Sequence, residues 1–139
     1  WVGDCAPVGF VADDGTIGVA HAGWRGAYDG VLQAAVAQLG PTRVRAYLGP
    51  CIHPCCYEFG AADLQMFVGR FGSQVAGSTA WGAAALDMRA VVASALAEVG
   101  VEMVDVSRCT GCFAEHYYSH RRRRQAGRHV MTICKRAQR

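Results

Sequence analysis

Asp4-Cys5-Ala6-Pro7-Val8-Gly9-Phe10-Val11-Ala12-Asp13-Asp14-Gly15-Thr16-Ile17-Gly18-Val19-Ala20-His21-Ala22-Gly23-Trp24-Arg25-Gly26 is the stretch that decides the fold. Val8, Phe10 and Val11 read as one apolar strand, and Ile17, Val19 and Ala20 as a second. Asp13-Asp14-Gly15 supplies the polar turn between them, so the two runs are expected to pair as a hairpin. That pairing brings Cys5 and His21 to the same end of a sheet. A thiolate beside an imidazole is either two ligands of a soft metal or a nucleophile with its base. Both chemistries need a deprotonated sulfur near the ring, and spacing leaves the choice open.

Beyond His21 the period changes. Tyr28, Val31, Leu32, Ala35, Val36 and Leu39 fall at helical spacing, and Gly40-Pro41 stops the run. Gly23 and Gly26 lie just before this expected helix, where they permit close backbone approach and where free N–H groups favour an anion. Arg25 stands between them. The competing reading makes the two glycines no more than a tight strand-to-helix turn.

Val44, Ala46 and Leu48 alternate as a third strand, which runs into Gly49-Pro50-Cys51-Ile52-His53-Pro54-Cys55-Cys56-Tyr57-Glu58. Two prolines and a glycine make this a shaped loop, a common place for chemistry. Cys55 and Cys56 read as small buried hydrophobes; Cys51 stays open between packing and function. Leu64, Phe67, Val68 and Phe71 suggest a short helix, and residues 72–82 a surface loop. Asp87 is an N-cap for a helix carrying Met88, Val91, Val92, Ala95, Leu96 and Val99, ended by Gly100. Val101, Met103, Val104 and Val106 suggest a strand leading to Cys109-Thr110-Gly111-Cys112. Val130 to Cys134 reads as a last strand. Strands alternating with helices give an α/β fold, and the opening hairpin makes its sheet mixed.

With 139 residues, 52% of them hydrophobic and 18% charged, the chain suits one folded domain over residues 1–139. No apolar run has membrane-span length and no basic segment precedes an apolar start, so a cytoplasmic setting without a membrane partner is expected. Seven cysteines, an odd count with several in dense groups, in a chain that also has long apolar helical patterns, point to reduced thiols rather than a disulfide scaffold. The net charge of +3 is concentrated in Arg121, Arg122, Arg123, Arg124 and the residues behind them. No nucleic-acid module surrounds that run, so a solvated face is the plainer reading and nucleic acid is not the expected partner.

Two metal arrangements compete with simple packing. Cys51, Cys55 or Cys56, Cys109 and Cys112 could form a structural zinc site, although one Cys-x-x-Cys with an irregular partner pair is a weak signal. A redox role for Cys109 and Cys112 is weaker, because no helix follows directly. Cys5 and His21 supply two catalytic ligands; the third would come from His53, His116, His120 or His129, or from outside the chain.

Together, Asp4-Cys5-Ala6-Pro7, His21-Ala22-Gly23-Trp24-Arg25-Gly26, Leu48-Gly49-Pro50-Cys51-Ile52, Cys55-Cys56-Tyr57-Glu58, Cys109-Thr110-Gly111-Cys112, Tyr118-Ser119-His120-Arg121-Arg122 and Gly127-Arg128 resemble the YfiH family. This is the laccase-domain or multicopper polyphenol oxidase family, whose members are described as purine nucleoside phosphorylases. The resemblance covers nearly the whole chain. It implies mixed sheet layers flanked by helices, a fold related to the catalytic domain of cytotoxic necrotizing factor toxins. It also implies zinc on two histidines and a cysteine. Cys5 and His21 match the cysteine and the second histidine, while the first belongs to a segment upstream of the Asp-Cys motif. The chain is therefore expected to be the C-terminal portion of a longer family domain.

The implied activity is phosphorolysis of purine nucleosides, with adenosine deamination and methylthioadenosine cleavage beside it in some members. On that basis Arg25, with the amides near Gly23 and Gly26, is a candidate phosphate holder. Glu58 is a candidate acid or base, or else a loop anchor. Cys51, Arg121 and Arg122 are candidates for contacts to substrate or phosphate. The family commonly has an acidic residue shortly after the arginine pair, where this chain has Arg123 and Arg124, and Ala126 replaces a more usual threonine. Copper oxidation is discounted, because five histidines with no His-x-His pair cannot hold several copper ions. The rivals are a cysteine–histidine hydrolase with Cys5 as nucleophile, and an interaction module without activity, including one that assembles with copies of itself.

Overall fold

Strand β1 (Ala6–Ala12) is the centre of the sheet in the computed structural model, which describes residues 1–135. It pairs antiparallel with β2 (Ile17–Ala22) on one side and with β3 (Val44–Leu48) on the other. The β1–β2 turn is closed by the Asp14 carboxylate, which accepts from the Thr16 N–H at 2.7 Å, and by Gly15 at φ 81°. The expected hairpin is therefore present. A fourth strand, β6 (Glu102–Asp105), runs parallel to β3 and completes the order β2-β1-β3-β6.

Ala6, Val8, Phe10 and Ala12 alternate toward one face and are buried there with Leu32, Leu48 and Leu96. Helices α1 (Trp24–Tyr28), α2 (Val31–Gln38), α3 (Ala61–Phe71) and α4 (Met88–Ala97) build the layer on this core. Asp87 caps α4 as expected, its carboxylate accepting from the N–H of Arg89 at 3.0 Å and of Ala90 at 3.4 Å. Trp24, Tyr28, Phe59, Phe67 and Phe71 form one aromatic cluster, with Phe67 touching the other four at ring separations of 5.1 to 6.2 Å.

Three expectations are corrected. The helix expected from Tyr28 to Leu39 is two helices, broken at Asp29-Gly30, where Gly30 takes φ 93° and sends the chain off in a new direction. Residues 72–82, expected as loop, contain strand β4 (Ala76–Ser78), which pairs antiparallel with β5 (Ala84–Leu86). Small residues suit that hairpin because Gly77 lies against Pro54, where a side chain would come within 3.1 Å. The last strand expected at Val130–Cys134 is irregular chain. It leaves a single bridge between His129 and Val2, then lays Met131 and Ile133 over Gly9 on the face of the sheet away from the helices. Its apolar pattern covers a sheet instead of joining one. A four-residue helix, α5 (His120–Arg123), precedes it and is capped by the Ser119 hydroxyl.

Phe67, 1% exposed, holds the aromatic cluster together, whereas its neighbour Met66 is 52% exposed. Phe67→Ala is expected to cost about 3–5 kcal/mol of unfolding free energy and Met66→Ala less than about 0.5 kcal/mol. Urea unfolding of the two variants beside the parent checks this; equal midpoints would show that the cluster does not stabilise the core.

Candidate functional site

The register of the hairpin sets the site. Ala6 faces Ala22 and Pro7 faces His21, so Cys5 and Gly23 meet just beyond the paired residues. At the point where a side chain on Gly23 would begin, Cys5 Sγ is 3.4 Å away and His21 Nε2 is 3.9 Å away. The bare glycine leaves a space onto which sulfur and ring nitrogen converge. A cavity of about 350 Å³ opens there, and its lining includes the aromatic side chains Trp1, Trp24 and Tyr57 together with His120, Arg121 and Arg128. That volume lies at the small end of the range for small-molecule sites.

Asp4 draws this lining together. One carboxylate oxygen accepts from the Thr110 hydroxyl at 2.7 Å, and the other from the Arg121 N–H at 2.7 Å. The Arg121 guanidinium then lies over the Tyr57 ring, 5.0 Å from its centre. Burial pushes the Tyr57 hydroxyl up to about 12 against the opposing Arg121 charge, so it stays a neutral phenol. Burial, and then the Asp4 charge, also push the Cys5 thiol above its ordinary value, with Arg128 pulling the other way.

The other candidate residues are dispersed. Gly26 lies inside α1 against Val31, and α1 is only five residues long, so the expected helix-terminus anion site is not built on a full helix. Arg25 stacks on Trp24 at 4.0 Å and borders a separate hollow with Tyr28, Asp29 and Asp63. Glu58 accepts from the Trp81 indole N–H at 2.9 Å in another hollow, whose wall also includes Arg121 and Arg122. Arg122 lies over the Trp81 ring at 4.6 Å. Cys51 is fully buried and bridges to Cys109 through the backbone. Of the four histidines weighed as a third ligand, only His120 borders the cavity. His53 is 3.0 Å from the Ser107 hydroxyl, and His116 and His129 flank Tyr117.

Cys55 and Cys56, expected as packing residues, converge with Cys109 and Cys112, and the four sulfurs lie within 4.8 Å of one another. This group could hold a metal ion. Cys51 is not part of it. Among the described residues no other set of three or more histidine, cysteine or acidic side chains is gathered this closely. Cys5 and His21 are a donor pair of the kind that zinc can take. Sequence reasoning passed over Asp4, Tyr57 and Arg128 as site residues, although each stands inside a quoted motif. What it lacked was any signal that Asp4 reaches Thr110 and Arg121.

Residues 1–136 match the family described as multi-copper polyphenol oxidoreductase laccase. A purine nucleoside phosphorylase of Xylella fastidiosa is 40% identical over 133 residues, which cover 90% of this chain and 51% of that protein. The purine nucleoside phosphorylase YfiH of Escherichia coli is 36% identical, over 90% of this chain and 54% of that one. A protein of an unknown prokaryotic organism named adenosine deaminase is 31% identical, over 86% and 50%. The crystal structure of a Neisseria meningitidis protein superposes with a TM-score of 0.78 at 31% identity, covering 87% of this chain and 52% of its own. The chain thus spans about half the length of the curated relatives it matches.

Burial, with Asp105 second, pushes the Cys51 thiol from an ordinary 9.0 up to about 12. Above pH 9.0 the unfolded chain gives up a proton that the folded chain keeps, so stability falls as pH rises toward 12. Cys51→Ala is expected to flatten that alkaline decline by up to about 1.4 kcal/mol per pH unit. Urea unfolding at a series of alkaline pH values measures the slope; identical slopes in parent and variant would refute the assignment.

Proposed function

On the premise that this chain belongs to the multi-copper polyphenol oxidoreductase laccase family, in its YfiH branch, we propose that it carries part of the active site of a zinc-dependent purine nucleoside phosphorylase. The observation that carries this reading is the cavity at Cys5 and His21, whose lining combines aromatic rings with the guanidinium groups of Arg121 and Arg128. A nucleoside and inorganic phosphate need both kinds of group. The planar base stacks on aromatic rings, and the phosphate is held by guanidinium groups.

In phosphorolysis the bond from the sugar C1′ to the base nitrogen breaks as a phosphate oxygen bonds C1′. The base leaves with the electron pair, and the sugar is cationic on the way. Arg121 and Arg128 are the proposed phosphate holders, since Arg25 faces a different hollow. Asp4 fixes the Arg121 backbone and so the start of α5. Trp1, Trp24 and Tyr57 receive the base and exclude water from it. His120, or the neutral phenol of Tyr57, is the proposed proton source for the departing base, and Glu58, which borders an adjoining hollow with Arg121, stays a candidate acid or base. Zinc held by Cys5 and His21 would supply a Lewis acid able to polarise the purine or to activate water for deamination. The relative named adenosine deaminase supports proposing that second reaction for the same cavity. A cytosolic setting suits seven free thiols.

The test is release of hypoxanthine from inosine by the complete protein, with and without added phosphate. Release is expected only with phosphate. Cys5→Ala and His21→Ala should each lower kcat/KM by about 100-fold or more, and Arg121→Ala and Arg128→Ala should raise the KM for phosphate by roughly 10-fold. Hypoxanthine release that ignores phosphate, or full activity in Cys5→Ala, would sink the reading.

A further inference from the structure

We infer that Cys55, Cys56, Cys109 and Cys112 form a second, structural zinc site, separate from the pair Cys5 and His21 and independent of the phosphorolysis reading. The geometry carries it. Four thiolates about 2.3 Å from one zinc ion stand at the corners of a tetrahedron whose edge is roughly 3.8 Å. The sulfurs of Cys55 and Cys112 are 3.5 Å apart, those of Cys56 and Cys112 3.5 Å, those of Cys55 and Cys109 3.8 Å, and those of Cys55 and Cys56 3.9 Å. All of these are far beyond a disulfide bond of about 2.05 Å. Packing does not explain the group either, because Cys112 is exposed.

Adjacent cysteines point to opposite sides of a strand, but Cys55 and Cys56 lie in a 3₁₀ turn, Pro54–Cys56. There successive side chains differ by about a third of a turn and can converge. The opposing loop is shaped around the sulfurs. A side chain on Gly111 would come within 2.6 Å of Cys56 Cβ and 2.8 Å of its Sγ, so only glycine lets the two segments approach this far. The His53 N–H donates to Cys109 Sγ at 3.4 Å, the kind of bond that steadies a metal-bound thiolate.

The loop that brings two of the sulfurs is also held in place. Each thiol that binds gives its proton to solvent, and four thiolates with one zinc leave roughly two negative charges. Arg123 holds the loop from outside, donating to the carbonyls of Gly111 at 2.8 Å, Thr110 at 3.0 Å and Tyr117 at 2.7 Å. Arg122 packs its aliphatic stem beside Gly111. Part of the arginine run thus braces the loop that carries Cys109 and Cys112. Thr110, between two of the ligands, donates to Asp4. Zinc at this centre therefore fastens the loop that positions Asp4 and, through it, Arg121 at the cavity.

Cobalt titration of the reduced, chelator-treated protein tests this by spectroscopy. The parent should show intense sulfur-to-cobalt charge transfer and the visible bands of tetrahedral thiolate, bleached by about one equivalent of zinc. Zinc should also raise Tm by several degrees. Cys112→Ser, at an exposed position, and Cys55→Ser should each lose most of the four-thiolate signal, while Cys5→Ala and Cys134→Ser keep it. Bands that survive in both cluster variants, or vanish in Cys5→Ala, would overturn the proposal. So would parent protein with native circular dichroism that takes up no cobalt.

Discussion

Both oxygens of the Asp4 carboxylate are taken by chain that lies 106 and 117 residues further on, the Thr110 hydroxyl and the Arg121 N–H. Charge-assisted hydrogen bonds of this length are the stronger kind. They join the start of β1 to two segments that have almost no regular structure of their own. Cys5 follows Asp4 directly, so whatever fixes the carboxylate also fixes the thiol. One acidic residue thus ties together chain segments that border the cavity.

Around that tie, glycines let backbones come close and arginines hold what has come close. Gly23 leaves the space between Cys5 and His21, and Gly111 lets the loop of Cys109 and Cys112 reach Cys56. Arg123 then secures three carbonyls that would otherwise face solvent along an irregular loop. A row of like charges normally repels itself apart. Here Arg121 lies over Tyr57, Arg122 over Trp81 and Arg123 on carbonyl oxygens, so consecutive residues serve three different surfaces. A four-residue helix turns each in a separate direction.

Much of the architecture was legible wherever a local pattern and a local stop signal agreed. The Asp13-Asp14-Gly15 turn foretold the hairpin, and with it the meeting of Cys5 and His21. Asp87 and Gly100 bounded α4 in the same way. Legibility failed where the apolar period ran on through a break, as at Gly30, whose φ of 93° interrupts a pattern that otherwise continues to Leu39. It failed again at Val130–Cys134, where alternation marks a segment that covers a sheet and forms no ladder. Burial on one side yields the same pattern in either case.

From the sequence alone came the α/β class with its mixed sheet, the pairing of Cys5 with His21, and the family resemblance. Those features rest on periodicity, turn chemistry and motif order, all of which are properties of neighbours along the chain. Only the tertiary structure decided that Asp4 reaches Thr110 and Arg121, and that Arg25 faces away from the cavity. Of the cysteines that the sequence had weighed as one group, it put both Cys55 and Cys56 with Cys109 and Cys112 and left Cys51 outside. The reason is physical: where a side chain on an irregular loop points is set by the packing of distant segments, and no spacing in the sequence encodes that direction.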